Sequence, residues 1–179
     1  TFTVIASALL IVLAEPLVRA LVPSMTPGAV SAVGRVLVAM ALGLVPFGAM
    51  VLMKWVFYAY EQGRTVFMLQ VPVVLVLVGG SFASMWLLPG QWWVVGIGVS
   101  MSLSNVAGVL ARSRSLRRLL GGVDGARIVR MHVRAAVAAA VAAVVGILVR
   151  DAVGGGASSG WFQAVLTCSV VGAGMGVAY

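Results

Sequence analysis

Four charged side chains lie within or at the ends of long apolar stretches, where a charge has the largest physical effect. Glu15 and Arg19 are four residues apart, a spacing at which two side chains of one helix can form an ion pair. Arg35 and Lys54 stand alone in their stretches. In a polar cavity either cation could attract a phosphate, whereas near a membrane surface a long basic side chain only anchors its helix. Glu15 and Arg19 similarly admit two interpretations, a self-neutralising pair or a polar element facing a cavity.

Residues able to catalyse a reaction or hold a metal ion are few and scattered. The acids, the histidine and the cysteine are Glu15, Glu61, Asp124, Asp151, His132 and Cys168. No paired carboxylates and no HExxH, GxSxG or GxxxxGK[ST] motif occur, although such patterns accompany the common metal, nucleophile and phosphate sites. The sequence therefore predicts no enzyme, no catalytic residue, no metal site and no cofactor.

The composition favours lipid over water as the solvent. Hydrophobic residues make up 62% of the 179 positions, charged residues only 9%, and the mean hydropathy is +1.14, whereas soluble domains are about 25% charged. The net charge of +8 could indicate nucleic acid. However, seven of the twelve basic residues fall between Arg112 and Arg134. A basic segment beside apolar spans is typical of membrane orientation and anionic headgroup binding, so we expect no nucleic acid partner.

Six stretches are long and apolar enough to cross a bilayer as helices, which need about 20 residues each. They are 2–22, 31–54, 66–88, 91–111, 129–149 and 161–179. None alternates with the period of two that membrane strands show. The gaps are short and rich in glycine and proline, which makes neighbouring spans antiparallel. We therefore predict an all-α membrane protein, a polytopic bundle of six transmembrane helices.

Charge sets the predicted direction of these spans. The gaps that hold Lys54, Arg64 and the arginine segment lie on one side, which the positive-inside rule assigns to the cytoplasm. The protein is thus expected to be a multi-pass plasma-membrane protein with cytoplasmic basic loops. The predicted organisation is 1–112 as four helices, 113–128 as a basic cytoplasmic loop, and 129–179 as the last two helices. The loop could alternatively form a short amphipathic helix on the inner leaflet.

Two further features of the spans concern packing and flexibility. Pro46 lies between Gly43 and Gly48 in the second span, which predicts a kink. Gln70 and Pro72 of the third span could line a polar seam or serve helix packing, and so could Ser100, Ser102, Ser104 and Asn105 of the fourth. Spans five and six are rich in small residues, which permit close helix contact or leave a shallow apolar groove.

Three motifs in order resemble the MurJ/MviN lipid II flippase family, part of the multidrug/oligosaccharidyl-lipid/polysaccharide exporter superfamily. LAEPLVRALV, at 13–22, is similar to that family's Leu-Ala-Glu-Pro-Leu segment. GLVPFGAMVLMKWVFYAYEQGRT, at 43–65, resembles its glycine- and proline-containing helix with a lysine, Phe-Tyr, a short acidic turn and Arg-Thr. GVSMSLSNVAGVL, at 98–110, and the later turn LLGGVDG complete the match. The alanine- and arginine-rich composition is typical of an actinobacterium.

The resemblance implies a fold and a function. It suggests that the six spans are helices nine to fourteen of a fourteen-helix, two-lobe flippase, with the remaining N-terminal helices supplied by the same protein. Such a protein moves the polyprenyl-linked peptidoglycan precursor between leaflets by alternating access, and its last two helices hold the lipid tail. Val66 departs from the family pattern, in which proline often follows Arg-Thr, and VLVLVGGSF lacks the Asn and Asp of a sodium site.

The substrate-binding candidates are therefore Arg35, Lys54, Glu15 and Arg19, and the expected partners are the lipid-linked precursor and anionic headgroups. Two alternatives stay open. One is a flippase for another polyprenyl-linked saccharide. The other is a non-transporting membrane module that docks on cell-wall or division proteins through its basic loop.

Overall fold

The computed structural model describes residues 2–122, 125–153 and 158–178, and no strand occurs among them. The helices are α1 (Phe2–Val12), α2 (Ala14–Leu21), α3 (Pro27–Ala41), α4 (Leu44–Ala59), α5 (Gly63–Met68), α6 (Val71–Leu87), α7 (Trp93–Leu119), α8 (Gly125–Val153) and α9 (Trp161–Ala178), with a short 3-10 turn at Gly90–Trp92. The predicted all-α class is confirmed. Asp124 and the glycine run at 154–156 lie outside the described residues.

Three described helical segments are long and apolar enough to cross a membrane, namely Gly63–Leu87, Gly90–Leu119 and Val129–Ala152. The number rises to five if α1 with α2, and α3 with α4, each count as one interrupted span. Trp161–Gly176 is apolar but shorter. The chain is thus an all-α membrane protein, and the count of six spans remains a prediction.

The first predicted span, 2–22, is not one continuous helix. The chain bends by 75° between α1 and α2 at Leu13. Pro16 explains the break, because proline has no N–H to bond the carbonyl four residues earlier. That carbonyl, on Val12, instead lies 3.5 Å from Nη1 of Arg150. Arg150 also forms an ion pair with Asp151 at 3.0 Å.

One compact unit comprises Thr1–Ala41 and Ile128–Tyr179. Its core is formed by buried side chains of α1, α8 and α9 and the Leu13 break, namely Val12, Leu13, Ala142, Val171 and Met175. A side chain on Gly146 of α8 would come within 2.7 Å of the Met175 sulfur. The small residues of the last two helices therefore do allow close packing, as the sequence indicated. This unit joins residues at both ends of the sequence.

The second compact unit is Leu42–Arg127, and its main feature is the close antiparallel pair of α6 and α7. Gly80 of α6 faces Ser100 of α7, and one turn away Ser84 of α6 faces Gly96 of α7. At both places the glycine leaves no room for a Cβ, because that atom would lie within 2.7 Å of the serine hydroxyl. Small residues thus set the spacing of this helix pair.

Helix α4 packs on α7 in the parallel direction. Gly43 lies against Ser102 near the start of the contact, and Phe57 packs with Leu116 near its end. Because α6 is antiparallel to α7, the three helices alternate in direction, which agrees with the topology expected from the short gaps. The amide of Asn105 donates to the carbonyl of Gly43 at 3.3 Å.

The predicted basic loop, 113–128, is helical over most of its length. Helix α7 continues to Leu119 and α8 begins at Gly125, so most of the segment's arginines extend transmembrane helices instead of forming a separate loop. Two glycines with positive φ, Gly121 at 68° and Gly122 at 149°, end α7. Such φ values are easily reached only without a Cβ.

Candidate functional site

The guanidinium of Arg19 donates hydrogen bonds to two backbone carbonyls. Its Nη1 donates to the carbonyl of Met25 and its Nε to the carbonyl of Ser159 at 3.0 Å. The ion pair with Glu15 that the spacing allowed is not formed. Next to it, the indole of Trp161 donates to the carbonyl of Ala20 at 3.0 Å. These hydrogen bonds connect the C-terminal end of α2 to the segment that leads into α9. Arg19 therefore stabilises the contact between these two helices.

Glu15 is half-buried where α2 crosses α3. Its Cγ lies 3.0 Å from the position that a Cβ of Gly34 would take, so the missing side chain at 34 admits the glutamate. Arg35 follows directly in sequence and its side chain is exposed. The structure therefore places Glu15, Arg19 and Arg35 in the same unit, with Glu15 against the helix that carries Arg35.

Lys54 belongs to the other unit, on α4. It is half-buried, and no described residue forms a hydrogen bond or ion pair with it. Aromatic rings surround this end of α4: Trp55 and Tyr58 pack edge to face with ring centroids 6.1 Å apart. Trp55 and Tyr58 are both exposed, as is typical of amphipathic rings near a membrane surface.

The predicted polar seam of α7 is used for packing. The hydroxyl of Ser100 donates to the carbonyl of Gly96 at 2.8 Å, and that of Ser104 to the carbonyl of Met101 at 2.7 Å. Both serines are buried. Since these two hydroxyls donate to carbonyls of their own helix, Ser100 and Ser104 support helix contact.

Arg112 is a buried cation at the start of the basic segment. Only 1% of its surface is exposed, and its Nη2 donates to Oε1 of Gln70 at 2.8 Å. A periodic pattern could have found it, because small buried residues recur every four positions along α7. They are Gly96, Ser100, Ser104 and Gly108. Arg112 is the next position of this stripe, so its side chain enters the helix packing.

The other arginines of the segment differ from Arg112 because they are exposed. They are Arg114, Arg117, Arg118, Arg127, Arg130 and Arg134. Headgroup contacts of the segment stay a prediction, which the exposure of these six side chains allows, whereas Arg112 is buried on the packed face of α7.

Between them, α6 and α7 also border an apolar groove of about 500 Å³. Its walls include Ala83, Leu87, Leu88, Trp92, Val99 and Leu103. Ser84 and Ser100 reach the groove, but their hydroxyls bond to carbonyls of their own helices. The groove thus suits hydrocarbon and offers no group for acid-base or nucleophilic chemistry.

Comparison with known protein families identifies the family of this membrane protein. The family model described as "Lipid II flippase MurJ" matches residues 1–164. The chain belongs to the MurJ lipid II flippase family. No curated protein and no solved structure is found to match the chain.

MurJ membership gives the chain a general role. The family consists of flippases, which are transporters and not enzymes, and its members move lipid II, the lipid-linked precursor of peptidoglycan. A MurJ-family chain is an integral membrane protein, as its apolar helices also indicate. The resemblance in the three motifs LAEPL, KWVFY and SLSNVAGVL is therefore confirmed as a family relationship.

Proposed function

We propose that this chain is the part of a lipid II flippase that comprises its later helices, and that it moves the precursor from the inner to the outer leaflet for cell-wall synthesis. The observation that carries the proposal is the MurJ match over residues 1–164. The precursor's diphosphate and sugars must cross an apolar layer, so the protein must offer them a polar path while the polyprenyl tail stays in lipid. Alternating access provides such a path without an open pore.

Arg35 in the first unit and Lys54 in the second are each a candidate contact for the diphosphate. A phosphate forms strong charge-assisted hydrogen bonds with both guanidinium and ammonium groups. Arg35 has an exposed side chain, and Lys54 is half-buried with no hydrogen-bond or ion-pair partner among the described residues, whereas Arg19 donates to two backbone carbonyls. Glu15 is an acid and would repel a phosphate, so we assign it to the α2–α3 contact.

The interrupted helices supply the flexibility that alternating access requires. The break at Leu13 lies between α1 and α2, and a second break at Leu42 and Gly43 lies between α3 and α4. Each is followed by a proline, Pro16 and Pro46, that removes one helical hydrogen bond. Such breaks let a helix change direction at little cost. We further propose that α8 and α9, which are rich in small residues, border the polyprenyl tail.

The six exposed arginines from Arg114 to Arg134 complete the proposal. They are expected to lie on the cytoplasmic side, where each basic residue near an anionic surface contributes about 1 kcal/mol of attraction. Labelling of introduced cysteines in intact cells tests this orientation. A cysteine at Arg118 should be protected from an impermeant reagent, and labelling from outside would contradict the topology.

Transport by the full-length protein, reconstituted in vesicles with labelled lipid II, tests the assignment of the cations. Arg35→Ala and Lys54→Ala should each slow flipping about tenfold or more, because one charge-assisted bond contributes about 1.5–3 kcal/mol. Arg118→Ala removes an equal charge elsewhere and should change the rate less than twofold. Wild-type flipping by both Arg35→Ala and Lys54→Ala would make these residues anchors. Replacing lipid II by another polyprenyl-linked saccharide tests the choice of substrate.

A further inference from the structure

Arg112 carries a buried charge that no acid among the described residues neutralises. Its side chain is 1% exposed, and neither Nε nor Nη1 has a hydrogen-bond acceptor among the described residues. Glu61, the acidic residue in the described part of this unit, is exposed and forms no bond with it. Burying an ion without a partner is among the most costly arrangements in a protein. An anion bound beside Arg112 would offset this cost.

The guanidinium is held in place by shape. Gly108, one helical turn before Arg112, has no side chain, and a Cβ there would lie 2.9 Å from Nη1 of Arg112. The same glycine is approached by Met50 of α4 and Val73 of α6. Arg112 thus lies in a slot between three helices with its planar group supported by apolar atoms.

Gln70 is the only acceptor that the described residues offer to this slot. Its Oε1 receives the bond from Nη2 at 2.8 Å, yet Gln70 is an exposed residue on the outside of the unit. It also lines a surface groove of about 230 Å³ whose other walls are apolar, formed by Phe67, Val71, Val74 and Leu75. A neutral, exposed amide oxygen therefore stands between a buried cation and an apolar groove.

We propose that Arg112 and Gln70 form a binding site for a phosphate group carried on a membrane lipid. The phosphate replaces the Gln70 oxygen at Nη2 and the lipid's hydrocarbon chain follows the apolar groove. A charge-assisted bond from guanidinium to phosphate is about twice as strong as one to a neutral acceptor, and a planar guanidinium binds phosphate through two parallel bonds. The slot supplies the charge and the groove supplies the apolar surface, a combination that fits a lipid better than a free phosphate.

This site differs from the separate phosphate contacts proposed for Arg35 and for Lys54, and it can exist whether or not those residues touch the transported precursor. The same phosphate chemistry occurs in a phospholipid headgroup and in a polyprenyl diphosphate. The test therefore uses both lipids together with a glycosyl diacylglycerol, which has similar chains but no phosphate.

The experiment measures lipid binding to the delipidated full-length protein by native mass spectrometry during a titration with phosphatidylglycerol. Gln70→Glu places a resident carboxylate beside Arg112 with almost no change in shape, and Arg112→Gln removes the cation. Each variant should weaken binding about tenfold to a hundredfold, as expected from the loss of one hydrogen bond to a charged group. The matched control for Gln70→Glu is Gln62→Glu, at an exposed position, and it should change the affinity less than twofold.

The two variants separate a lost site from a lost fold. Arg112→Gln could unfold the protein, but Gln70→Glu neutralises the buried charge and should raise the thermal unfolding temperature while it abolishes the phosphate site. Tight binding of either phosphate lipid that Gln70→Glu weakens supports the proposal, and the stronger of the two identifies the source. Unchanged lipid binding by a stable Gln70→Glu protein, or equal binding of the phosphate-free lipid, would overturn it.

Discussion

Adding one methyl group at Gly80 should destabilise the protein, whereas the same change at the neighbouring Gly79 should stabilise it. Alanine is favoured over glycine inside a helix by about 1 kcal/mol, and this gain applies to both positions of α6. At Gly79 nothing lies within 4 Å of the new atom. At Gly80 the new Cβ would be 2.7 Å from Oγ and 2.9 Å from Cβ of Ser100.

The clash at Gly80 cannot be relieved by a rotamer change alone. The Ser100 hydroxyl is bonded to the carbonyl of Gly96 at 2.8 Å, and its Cβ moves only with the backbone of α7. Overpacking of this kind costs about 1–3 kcal/mol, which exceeds the helix-propensity gain. We therefore expect Gly80→Ala to lower the free energy of unfolding by about 1–2 kcal/mol and Gly79→Ala to raise it by up to about 1 kcal/mol.

A double variant makes the test specific. In Gly80→Ala with Ser100→Gly, both close atoms are gone and the remaining neighbour, the Cα at position 100, lies at 3.6 Å, an ordinary contact. Unfolding of the purified protein in mixed micelles, followed by circular dichroism, gives the four free energies of the cycle. The two changes should couple favourably by about 1–3 kcal/mol. Equal effects of Gly79→Ala and Gly80→Ala, or additive effects in the cycle, would refute the close approach of α6 and α7.

Three further substitutions have defined outcomes in the same unfolding assay. Gly43→Ala should cost about 2 kcal/mol, because its Cβ would lie 2.8 Å from the Cα of Ser102 and a backbone cannot yield cheaply; an unchanged stability would contradict the α4–α7 contact. Glu61→Gly should raise the free energy of unfolding by about 1 kcal/mol, since Glu61 has a φ of 57°, a region that disfavours residues with a side chain. A lower free energy of unfolding would show that contacts of the Glu61 side chain outweigh this backbone strain. Arg19→Ala should cost about 2–3 kcal/mol because it removes two bonds to carbonyls, and wild-type stability would show those bonds to be dispensable.

The sequence predicted the helical segments well because long apolar runs leave the backbone no other way to bond in lipid. It also predicted a kink near Pro46 and Gly43, because proline and glycine change the backbone conformation at their own positions. Pro16 is likewise a local signal for a break in the first span. At the 75° bend, however, the freed carbonyl of Val12 lies near Arg150, a residue 138 positions away. Such a partnership leaves no local signal in the sequence.

The charged residues were harder to place because their partners are backbone atoms or neutral side chains. Arg19 bonds to the carbonyls of Met25 and Ser159, and carbonyls are present at every residue, so no residue type marks them. Its arginine neighbours predict a place outside the membrane for Arg112, because charge usually ends a membrane span. The register of α7 decides otherwise, since Arg112 continues the buried small-residue stripe into the helix contact. The four-residue spacing of buried positions along α7, and not the charge of the residue, is therefore the signal that predicts a buried Arg112.

The distribution of lipid II between the two leaflets, measured while this protein is depleted from its own cells, tests the central claim most directly. If the full protein is the flippase of this family that we propose, lipid II should accumulate in the inner leaflet before growth stops. It should also become inaccessible to an externally added enzyme that cleaves it. An unchanged distribution between leaflets during depletion, in cells with no second flippase, would contradict the account.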